Sequence, residues 1–214
     1  MTCKICKQET YIIYDDQFKV EYHRCKSCGF IYEDPAYHIS YNDEKKEYDT
    51  HNNSIEDEGY VNMFRRFMES FEHFVEKKNV LEYGSGPEPV FSEVLRRSGY
   101  DVTSYDPFYL PDESYLDKTY DVITSTEVFE HFVEPIQEIE KLIGLLNEDG
   151  ILAIMTQFPR DDDHFKSWWY RRDKTHISFY TVETFKWIAN RYGLEIVYHN
   201  EKDYMIFKNT KSTD

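Results

Sequence analysis

Long hydrophobic runs and positive charge are both scarce in this sequence. No run of eighteen apolar residues occurs, and the first four residues do not begin a hydrophobic segment of the signal-peptide kind. Lys and Arg number 25 against 41 Asp and Glu, which gives a formal net charge of -16. Binding to phosphates requires clustered basic side chains, so this balance argues against nucleic acid or an anionic membrane as a partner. We expect a soluble, cytoplasmic protein with a small or cationic substrate.

Cysteine is absent beyond residue 28, and the four cysteines form two CxxC pairs separated by eighteen residues: Cys3, Cys6, Cys25 and Cys28. In a reducing compartment, pairs at this spacing supply four thiolates for a tetrahedral zinc ion. Such a shell leaves no position open to substrate, so we predict a structural zinc that stabilises a ribbon too short to be held by its core. A redox role is the alternative, although neither pair opens a helix inside a βαβ unit.

The segments around the cysteine pairs have the pattern of short strands. Residues 11–14 and 18–22 are rich in β-branched and aromatic residues and are joined across residues 15–17, while residues 29–32 could form a third strand. Charges in this part of the chain are mixed and form no basic stripe. We therefore expect the ribbon to dock against the main domain or to add a wall to its cleft.

The next segment divides into an irregular part and a helix. Residues 34–53 are polar, and they predict a linker or a lid. From Tyr60 to Val75, apolar residues recur at spacings of three and four, which is the period of an amphipathic helix packed on a core. Ser54, followed by Asp57 three residues later, could cap the start of this helix.

The central motif is an apolar run that ends in an acid and two glycines. Residues 79–90 predict a strand, a tight turn and the start of a helix. Gly84 and Gly86 allow the backbone to turn sharply and to approach a ligand closely. The amides at the start of the following helix would face that ligand as hydrogen-bond donors. A β–α turn without any ligand is the alternative.

Two classes of ligand use such a turn. A dinucleotide fingerprint would have a third glycine at position 89, where this sequence has Pro89. S-Adenosylmethionine loops resemble E/D-x-G-x-G-x-G, and Glu82 supplies an acid that can accept from the ligand's ammonium group. Asp106 ends the next apolar run, at a spacing from which an acid can reach ribose hydroxyls. Aromatic faces that attract a sulfonium cation lie beside these acids in the sequence: Tyr83, Tyr105, Phe108 and Tyr109.

Strands and helices alternate through the following residues. The strand patterns at 100–105 and 120–125 lie so close together that the β–α unit between them is reduced to a loop or one short strand. A helix pattern that residues 147–150 end is followed by a buried strand at 151–156. This order predicts a parallel sheet with helices on both faces, and ligands bind outside the carboxyl ends of such strands.

Three segments together resemble class I S-adenosylmethionine-dependent methyltransferases with an N-terminal zinc ribbon: residues 80–86 (VLEYGSG), 124–131 (TSTEVFEH) and 145–150 (LLNEDG). The resemblance implies an α/β fold, with a Rossmann-like, doubly wound and mostly parallel sheet, a reduced third β–α unit and an antiparallel C-terminal hairpin. It implies that the methyl donor contacts Glu82, Tyr83, Gly84, Ser85, Gly86, Asp106, Pro107, Ser125, Thr126 and Glu127. Glu88 stands where the family has a third glycine.

The resemblance covers residues 79–208 and divides the chain into four parts. Residues 1–36 are predicted to form the zinc ribbon, 37–78 the linker or lid with the lead helix, 79–208 the donor-binding methyltransferase domain, and 209–214 a frayed tail.

The end of the methyltransferase domain predicts a helix and a hairpin. Thr181 could cap a helix that Gly193 stops. Residues 194–198 and 204–208 predict antiparallel strands, which suit a methyltransferase sheet and not a dinucleotide-binding fold.

Residues 158–180 predict a substrate wall. This long segment contains three adjacent large aromatic residues, which argue against disorder. In-line methyl transfer depends chiefly on near-attack geometry, but a general base assists when the acceptor is a hydroxyl, an amine or an acidic carbon. The candidates for this base are, in order, His176, His131 and Tyr170, followed by Tyr180 and His51.

Each of these assignments has a structural alternative. His131 could be a histidine at a helix start that is bonded to backbone, and Arg171 with Asp173 could be a surface ion pair. The leading prediction is a small-molecule methyltransferase that uses S-adenosylmethionine. The alternatives are a non-catalytic zinc-ribbon protein that binds this nucleotide or none, and a nucleic-acid methyltransferase that uses a local basic patch at residues 171–174.

Overall fold

The computed structural model describes residues 1–50, 54–76 and 79–211, and this part of the chain contains two β-sheets. His51, the last of the base candidates, lies outside these ranges. The strands are β1 (Thr10–Asp15), β2 (Val20–Cys25), β3 (Ile31–Glu33), β4 (Asn79–Tyr83), β5 (Asp101–Tyr105), β6 (Tyr120–Thr126), β7 (Leu146–Met155), β8 (Ser178–Phe179), β9 (Leu194–His199) and β10 (Tyr204–Asn209). The α-helices are α1 (Tyr41–Tyr48), α2 (Glu58–Glu69), α3 (Val90–Arg97), α4 (Pro135–Gly144), α5 (Asp162–Ser167) and α6 (Val182–Tyr192).

The larger sheet has six strands in the order β5-β4-β6-β7-β10-β9. Strands β5, β4, β6 and β7 pair in parallel, whereas β10 pairs antiparallel with both β7 and β9. Between β5 and β6, residues 106–119 are all described and contain one isolated bridge and a 3₁₀ turn, Glu113–Asp117, in place of a β–α unit. The predicted fold class, with its reduced third unit and closing hairpin, is confirmed.

Both faces of this sheet are buried, because successive side chains of the central strands pack in different apolar clusters. Val80 packs in one apolar cluster with residues of α2 and α3, while its neighbour Leu81 packs in a second cluster with residues of α4 and α6. Phe64 of α2 stacks on Phe91 of α3 with ring centroids 4.7 Å apart. The phenylalanine-rich pattern of the lead helix therefore belongs to the core, as its helical period indicates.

The start of α2 differs from the prediction. Its cap is Asp57, whose carboxylate accepts from the amides of Gly59 (2.9 Å) and Tyr60 (3.1 Å). The prediction that Ser54 caps the helix was wrong, because the Ser54 hydroxyl accepts instead from the amide of Glu56, before the helix begins. An aspartate is as good a cap as a serine and lies at the helix boundary.

The segment predicted to be irregular contains helix α1. Its cap, Ser40, accepts from the Asp43 amide, and its first turn carries acids that favour a helix start. The prediction of irregular structure was therefore wrong for residues 41–48.

Other element boundaries also differ in detail. Residues 147–150, predicted to end a helix, belong to β7, since α4 already ends at Gly144. Thr181 caps α6 through a capping box, and Gly193 ends it with a φ of 68°, both as predicted. Strand β10 continues to Asn209.

The smaller sheet joins the N-terminal ribbon to the rest of the chain. Its order is β1-β2-β3-β8, so the ribbon strands pair with a strand from the predicted substrate wall. The hydroxyl of Thr184, on α6, donates to the Cys28 carbonyl oxygen at 2.9 Å. The ribbon is thus docked on the main domain, as the sequence suggested.

A buried ion pair strengthens this docking. Arg171 is 3% exposed and donates through Nη1 to Asp15 of β1. Its Nε donates to the Phe165 carbonyl oxygen at 2.8 Å. The hypothesis of a surface ion pair between Arg171 and Asp173 was therefore wrong. Among the helices in the described ranges, none is long and apolar enough to cross a membrane.

Candidate functional site

The two glycines of the β4–α3 turn have different structural roles. Gly84 has a φ of 86°, and a Cβ atom there would lie 2.3 Å from Val128 Cγ2. Gly86 has a φ of 68°, but a Cβ atom there would meet no atom within 4 Å. Both positions therefore favour glycine through their backbone conformation. Gly84 is additionally required by close packing against the loop after β6, whereas Gly86 borders open space.

The amides of the turn are bonded to the end of β5. Those of Gly84 and Ser85 donate to the Tyr105 carbonyl oxygen at 2.8 and 3.0 Å. The amide of Gly86 donates to Asp106 Oδ2 at 2.8 Å, and Asp106 Oδ1 accepts from the Phe108 amide at 2.9 Å. The Asp106 carboxylate thus fixes the glycine turn relative to the loop that follows β5.

Glu82 binds the start of helix α3. Its side chain is 2% exposed and accepts from both the hydroxyl and the amide of Ser92. The sequence predicted that the first amides of α3 would face a ligand, but the amide of Ser92 is bonded to this carboxyl group instead. Burial raises the pKa of Glu82 to about 7.

A cavity of about 810 Å³ opens at the carboxyl ends of β4, β5 and β6. This volume lies within the range of roughly 300–1,000 Å³ that is typical of small-molecule sites. Its walls contain all of the predicted donor residues except one: Glu82, Tyr83, Gly84, Ser85, Gly86, Asp106, Pro107, Thr126 and Glu127. Ser125 does not line the cavity, because its side chain is fully buried within β6.

The chemistry of this wall fits a cationic nucleoside such as S-adenosylmethionine. The described residues that line the cavity include the acids Glu82, Asp106 and Glu127 but only one lysine, Lys141. The aromatic residues predicted to attract a sulfonium also line the cavity. The hydroxyl of Ser85 is buried and lacks a hydrogen-bond partner among the described residues. Since buried polar groups are normally bonded, this orphaned hydroxyl indicates a missing ligand.

Helix α1 covers one side of the cavity. Tyr41 stacks on Phe108 with centroids 4.7 Å apart, and Tyr48 lies 5.3 Å from Phe108 and 5.2 Å from His131. The Tyr109 hydroxyl donates to Asp49, directly after the helix, at 2.7 Å. The sequence suggested a lid here, but not the helix or its contacts.

The base candidates His176, His131 and Tyr170 come together at the cavity. The ring centroids of His131 and His176 are 4.9 Å apart, and those of Tyr170 and His176 are 4.2 Å apart. Tyr180 does not line the cavity, since it is fully buried and donates to the Phe129 carbonyl oxygen at 3.1 Å. The structure therefore unites the three leading candidates and excludes Tyr180 from the site.

Both histidines are oriented by backbone carbonyl oxygens. His131 Nδ1 lies 2.9 Å from the Thr175 oxygen, and His176 Nδ1 lies 2.7 Å from the Tyr170 oxygen. A carbonyl oxygen only accepts, so we assign the hydrogen to Nδ1 in both rings, and each neutral ring keeps a lone pair on Nε2. Burial lowers the pKa of His176, which favours the neutral ring. The backbone bond foreseen for a structural His131 is present, yet the ring also faces the cavity.

Glu130 lies at the centre of this group and was not among the predicted site residues. Its side chain is fully buried and accepts from the hydroxyls of Tyr170 and, at 2.8 Å, Thr156. Its Oε1 atom is 3.9 Å from His131 Nε2 and 4.0 Å from His176 Nε2. The signal in the sequence was an acid directly before a candidate base, in the loop that ends β6.

Glu127 extends the group toward the open cavity. Its Oε2 atom is 3.0 Å from the Tyr170 hydroxyl, which is also bonded to Glu130. Desolvation by the cavity wall raises the pKa of Glu127 well above its usual value, and the charge of Glu130 adds to this effect. The Tyr170 hydroxyl has one hydrogen, so a protonated Glu127 can donate to Tyr170 while Tyr170 donates to Glu130.

The predicted substrate wall lies only partly at the cavity. Trp169, Tyr170, Asp173 and His176 line it, and Trp169 is 60% exposed. Trp168 is buried instead in the cluster beneath the ribbon sheet. One side of this segment therefore faces the cavity, and the other side holds the ribbon.

The four cysteines form a second cluster. Their side chains are free thiols and buried, and all four sulfur atoms lie within 4.8 Å of one another. Tetrahedral zinc with Zn–S bonds near 2.3 Å places sulfur atoms about 3.8 Å apart, and Cys3 Sγ lies 3.7 Å from Cys28 Sγ. The residues therefore fit a zinc ion.

Comparison with known proteins agrees with the fold. A family model described as "Methyltransferase domain" matches residues 57–199, which is more than half of the chain. The chain therefore belongs to this methyltransferase domain family. None of the curated protein sequences matches it.

Solved structures show the same fold at low sequence identity. An O-methyltransferase family protein from Burkholderia thailandensis is 14% identical, with a TM-score of 0.54 over 80% of this chain and 64% of that protein. Magnesium protoporphyrin IX methyltransferase from Synechocystis, solved with bound S-adenosylhomocysteine, is 13% identical, with a TM-score of 0.52 over 78% of this chain and 94% of that one. Mitomycin 7-O-methyltransferase is 10% identical, with a TM-score of 0.50 over 79% and 67% of the two chains.

Proposed function

We propose that this protein transfers a methyl group from S-adenosylmethionine to a small-molecule acceptor by in-line displacement. The observation that carries the proposal is a single cavity that joins the predicted donor residues around Gly84 and Asp106 to His131, His176 and Tyr170. A donor and an acceptor held in the same cavity can be aligned for attack, and alignment supplies most of the acceleration in such a reaction.

The residues at the glycine turn would hold the donor, which supplies an electrophilic methyl group when it is bound. Glu82 would accept from the donor's ammonium group, and Asp106 would accept from its ribose hydroxyls. The rings of Tyr83 and Tyr105, stacked with centroids 5.1 Å apart, present an aromatic face at the same wall. Gly86 adds no side-chain atoms to this wall.

The residues at the other side would handle the acceptor's proton. The Nε2 atoms of His131 and His176 carry lone pairs in the assigned tautomer, and the lowered pKa of His176 keeps its ring neutral and able to accept a proton. Tyr170 is bonded to two carboxyl groups and would orient the acceptor rather than act as the first base.

The lining charges favour a neutral or cationic acceptor over a nucleic acid. Arg171, part of the basic patch that favoured RNA in the sequence, is buried in its ion pair with Asp15 and cannot contribute to a phosphate-binding surface. Helix α1 also covers the cavity, which suits a small acceptor. We further propose that the four cysteines hold a structural zinc ion.

Donor binding tests the first half of this proposal. We expect S-adenosylmethionine to bind with micromolar affinity, and Asp106→Ala to weaken binding at least about tenfold, or about 1.4 kcal/mol. Asp101→Ala, at the exposed opposite end of the same strand, is the matched control and should bind as the wild type does. Isothermal titration calorimetry measures all three, and equal affinity in the two variants would contradict the proposed donor site.

Catalytic turnover tests the second half of the proposal, methyl transfer to an acceptor. Formation of S-adenosylhomocysteine in the presence of a panel of small hydroxyl, amine and carbon acids should identify an acceptor class. Donor binding without turnover of any extract or compound would favour the scaffold alternative. Salt-dependent binding and methylation of RNA would favour the nucleic-acid alternative.

A further inference from the structure

We propose that Glu130, His131 and His176 bind one divalent metal ion at the acceptor side of the cavity. One oxygen and two nitrogen atoms of these side chains lie within 4.8 Å of one another. The site is separate from the four cysteines and has a different donor set. The inference deepens the proposed function. The existence of the metal site does not depend on that function, but the role of the ion does.

The orientation of the two imidazole rings supports a metal site. Metal-binding histidines usually donate the hydrogen of their second nitrogen to a carbonyl or carboxylate oxygen, which fixes the ring and leaves the other nitrogen free to bind. His131 and His176 both show this arrangement, with Nδ1 bonded to the oxygens of Thr175 and Tyr170. Their Nε2 atoms converge on the same carboxylate oxygen, Glu130 Oε1.

The distances are compatible with a bound ion. Metal–ligand bonds of about 2.1 Å bring neighbouring ligand atoms to roughly 3.0–3.4 Å. The Glu130 Oε1 atom is 3.9 and 4.0 Å from the two Nε2 atoms. A bound ion would therefore bring the Glu130 oxygen and each histidine nitrogen closer by about 1 Å or less, which small side-chain rotations can supply.

The buried carboxylate of Glu130 also favours a positive charge beside it. Glu130 is fully buried, and the potentially cationic side chains within 4 Å of it, among the described residues, are these two histidines. Hydrogen bonds from Tyr170 and Thr156 satisfy both of its oxygens but supply no net charge. Buried charges are normally paired or bind metals, and two neutral imidazoles beside a carboxylate form a metal ligand set.

The position of the site suggests its role. Three protein ligands leave coordination positions open, and both histidines line the cavity. An ion there would hold the acceptor's oxygen or nitrogen and lower its pKa, so that the proton leaves to water. The freed electron pair then attacks the methyl carbon, and the pair of the broken C–S bond stays on sulfur. The histidines would act as ligands in this case, and not as the direct base.

Binding of Mn²⁺ tests the site independently of catalysis. The probe is Mn²⁺ alone, because manganese prefers nitrogen and oxygen ligands and competes poorly for the four thiolates. Protein loaded with one equivalent of zinc should bind one Mn²⁺ per chain, measured by the loss of the free-ion signal in electron paramagnetic resonance. His176→Ala and His131→Gln should each weaken binding at least tenfold, whereas His73→Ala, an exposed histidine outside the cavity, should bind normally.

Two controls keep the outcomes distinct. Circular dichroism and urea unfolding show whether each variant is folded, and Glu130→Gln, which keeps the shape of the side chain, serves as a third ligand variant. Mn²⁺ binding that none of the ligand variants weakens, or no binding at all, overturns the site even if methyl transfer proceeds. Specific binding without methyl transfer upholds the site and contradicts the proposed function.

Discussion

The carboxyl group of Glu82 has two roles. It accepts from the hydroxyl and the amide of Ser92 at the start of α3, and it lines the cavity where the donor's ammonium group would lie. A buried carboxyl group without a cation prefers its neutral form, and burial raises the pKa of Glu82 to about 7. A bound ammonium group would favour the ionised form, so we expect donor binding to release a proton near neutral pH.

The same residue predicts a pH dependence of stability. The Glu82 pKa is about 7 in the folded protein against an ordinary value of 4.5, so the folded state retains a proton that the unfolded chain loses. The contribution of Glu82 to the free energy of unfolding should therefore be fully present below pH 4.5 and be lost as pH rises to about 7, by up to about 3 kcal/mol. In urea unfolding at pH 5 and pH 8, Glu82→Gln should lose less stability than the wild type; equal losses would contradict this assignment.

The sequence predicted cavity-lining residues well where they follow a strand directly. Gly84, Gly86 and Asp106 stand at strand ends, and parallel pairing brings those ends to one edge. Glu130 was overlooked and Arg171 was misjudged because their hydrogen-bond partners lie far along the chain. Arg171 meets Asp15 across 156 positions, and no local pattern distinguishes that pair from one with Asp173.

Helix α1 shows how a polar segment can still have a fixed position. Its apolar contacts come from aromatic residues of other elements, chiefly Phe108 and His131 against Tyr48. The eight residues lack the repeating apolar positions from which a helix is recognised in a sequence, so the lid was foreseen as a segment and not as a helix. Tyr48 contacts residues of both the donor side and the acceptor side.

Removal of the Tyr48 ring should loosen this lid. We expect Tyr48→Ala to raise KM for the acceptor several-fold, with a smaller change in kcat, because the ring closes the cavity without taking part in the chemistry. Glu47→Ala, on the exposed side of the same helix, is the matched control. Steady-state kinetics on both variants would contradict the lid if the two gave the same KM.

The ribbon and the methyltransferase domain share one sheet and one buried ion pair. Strand β3 pairs with β8, which lies two residues after His176, and Asp15 of β1 binds Arg171, next to Tyr170. The position of the acceptor side therefore depends on the ribbon. The ribbon that carries the four cysteines and the geometry of the cavity are connected through these contacts.

Loss of Arg171 should destabilise the whole molecule. Arg171→Met leaves Asp15 buried without its cation, at a cost of about 3–5 kcal/mol. The double variant Asp15→Asn with Arg171→Met removes the uncompensated charge and should recover part of that loss. Urea unfolding of the wild type and both variants measures the difference, and a single variant as stable as the wild type would show that the pair is not buried in solution.

Pairing of β3 with β8 also has a consequence for protein synthesis. Residues 31–33 leave the ribosome long before residues 178–179, so one edge of the ribbon sheet has no neighbouring strand while most of the chain is being made. An open strand edge is a template for pairing with other chains. The cysteine-bearing module is thus translated well before β8, the strand that completes its sheet.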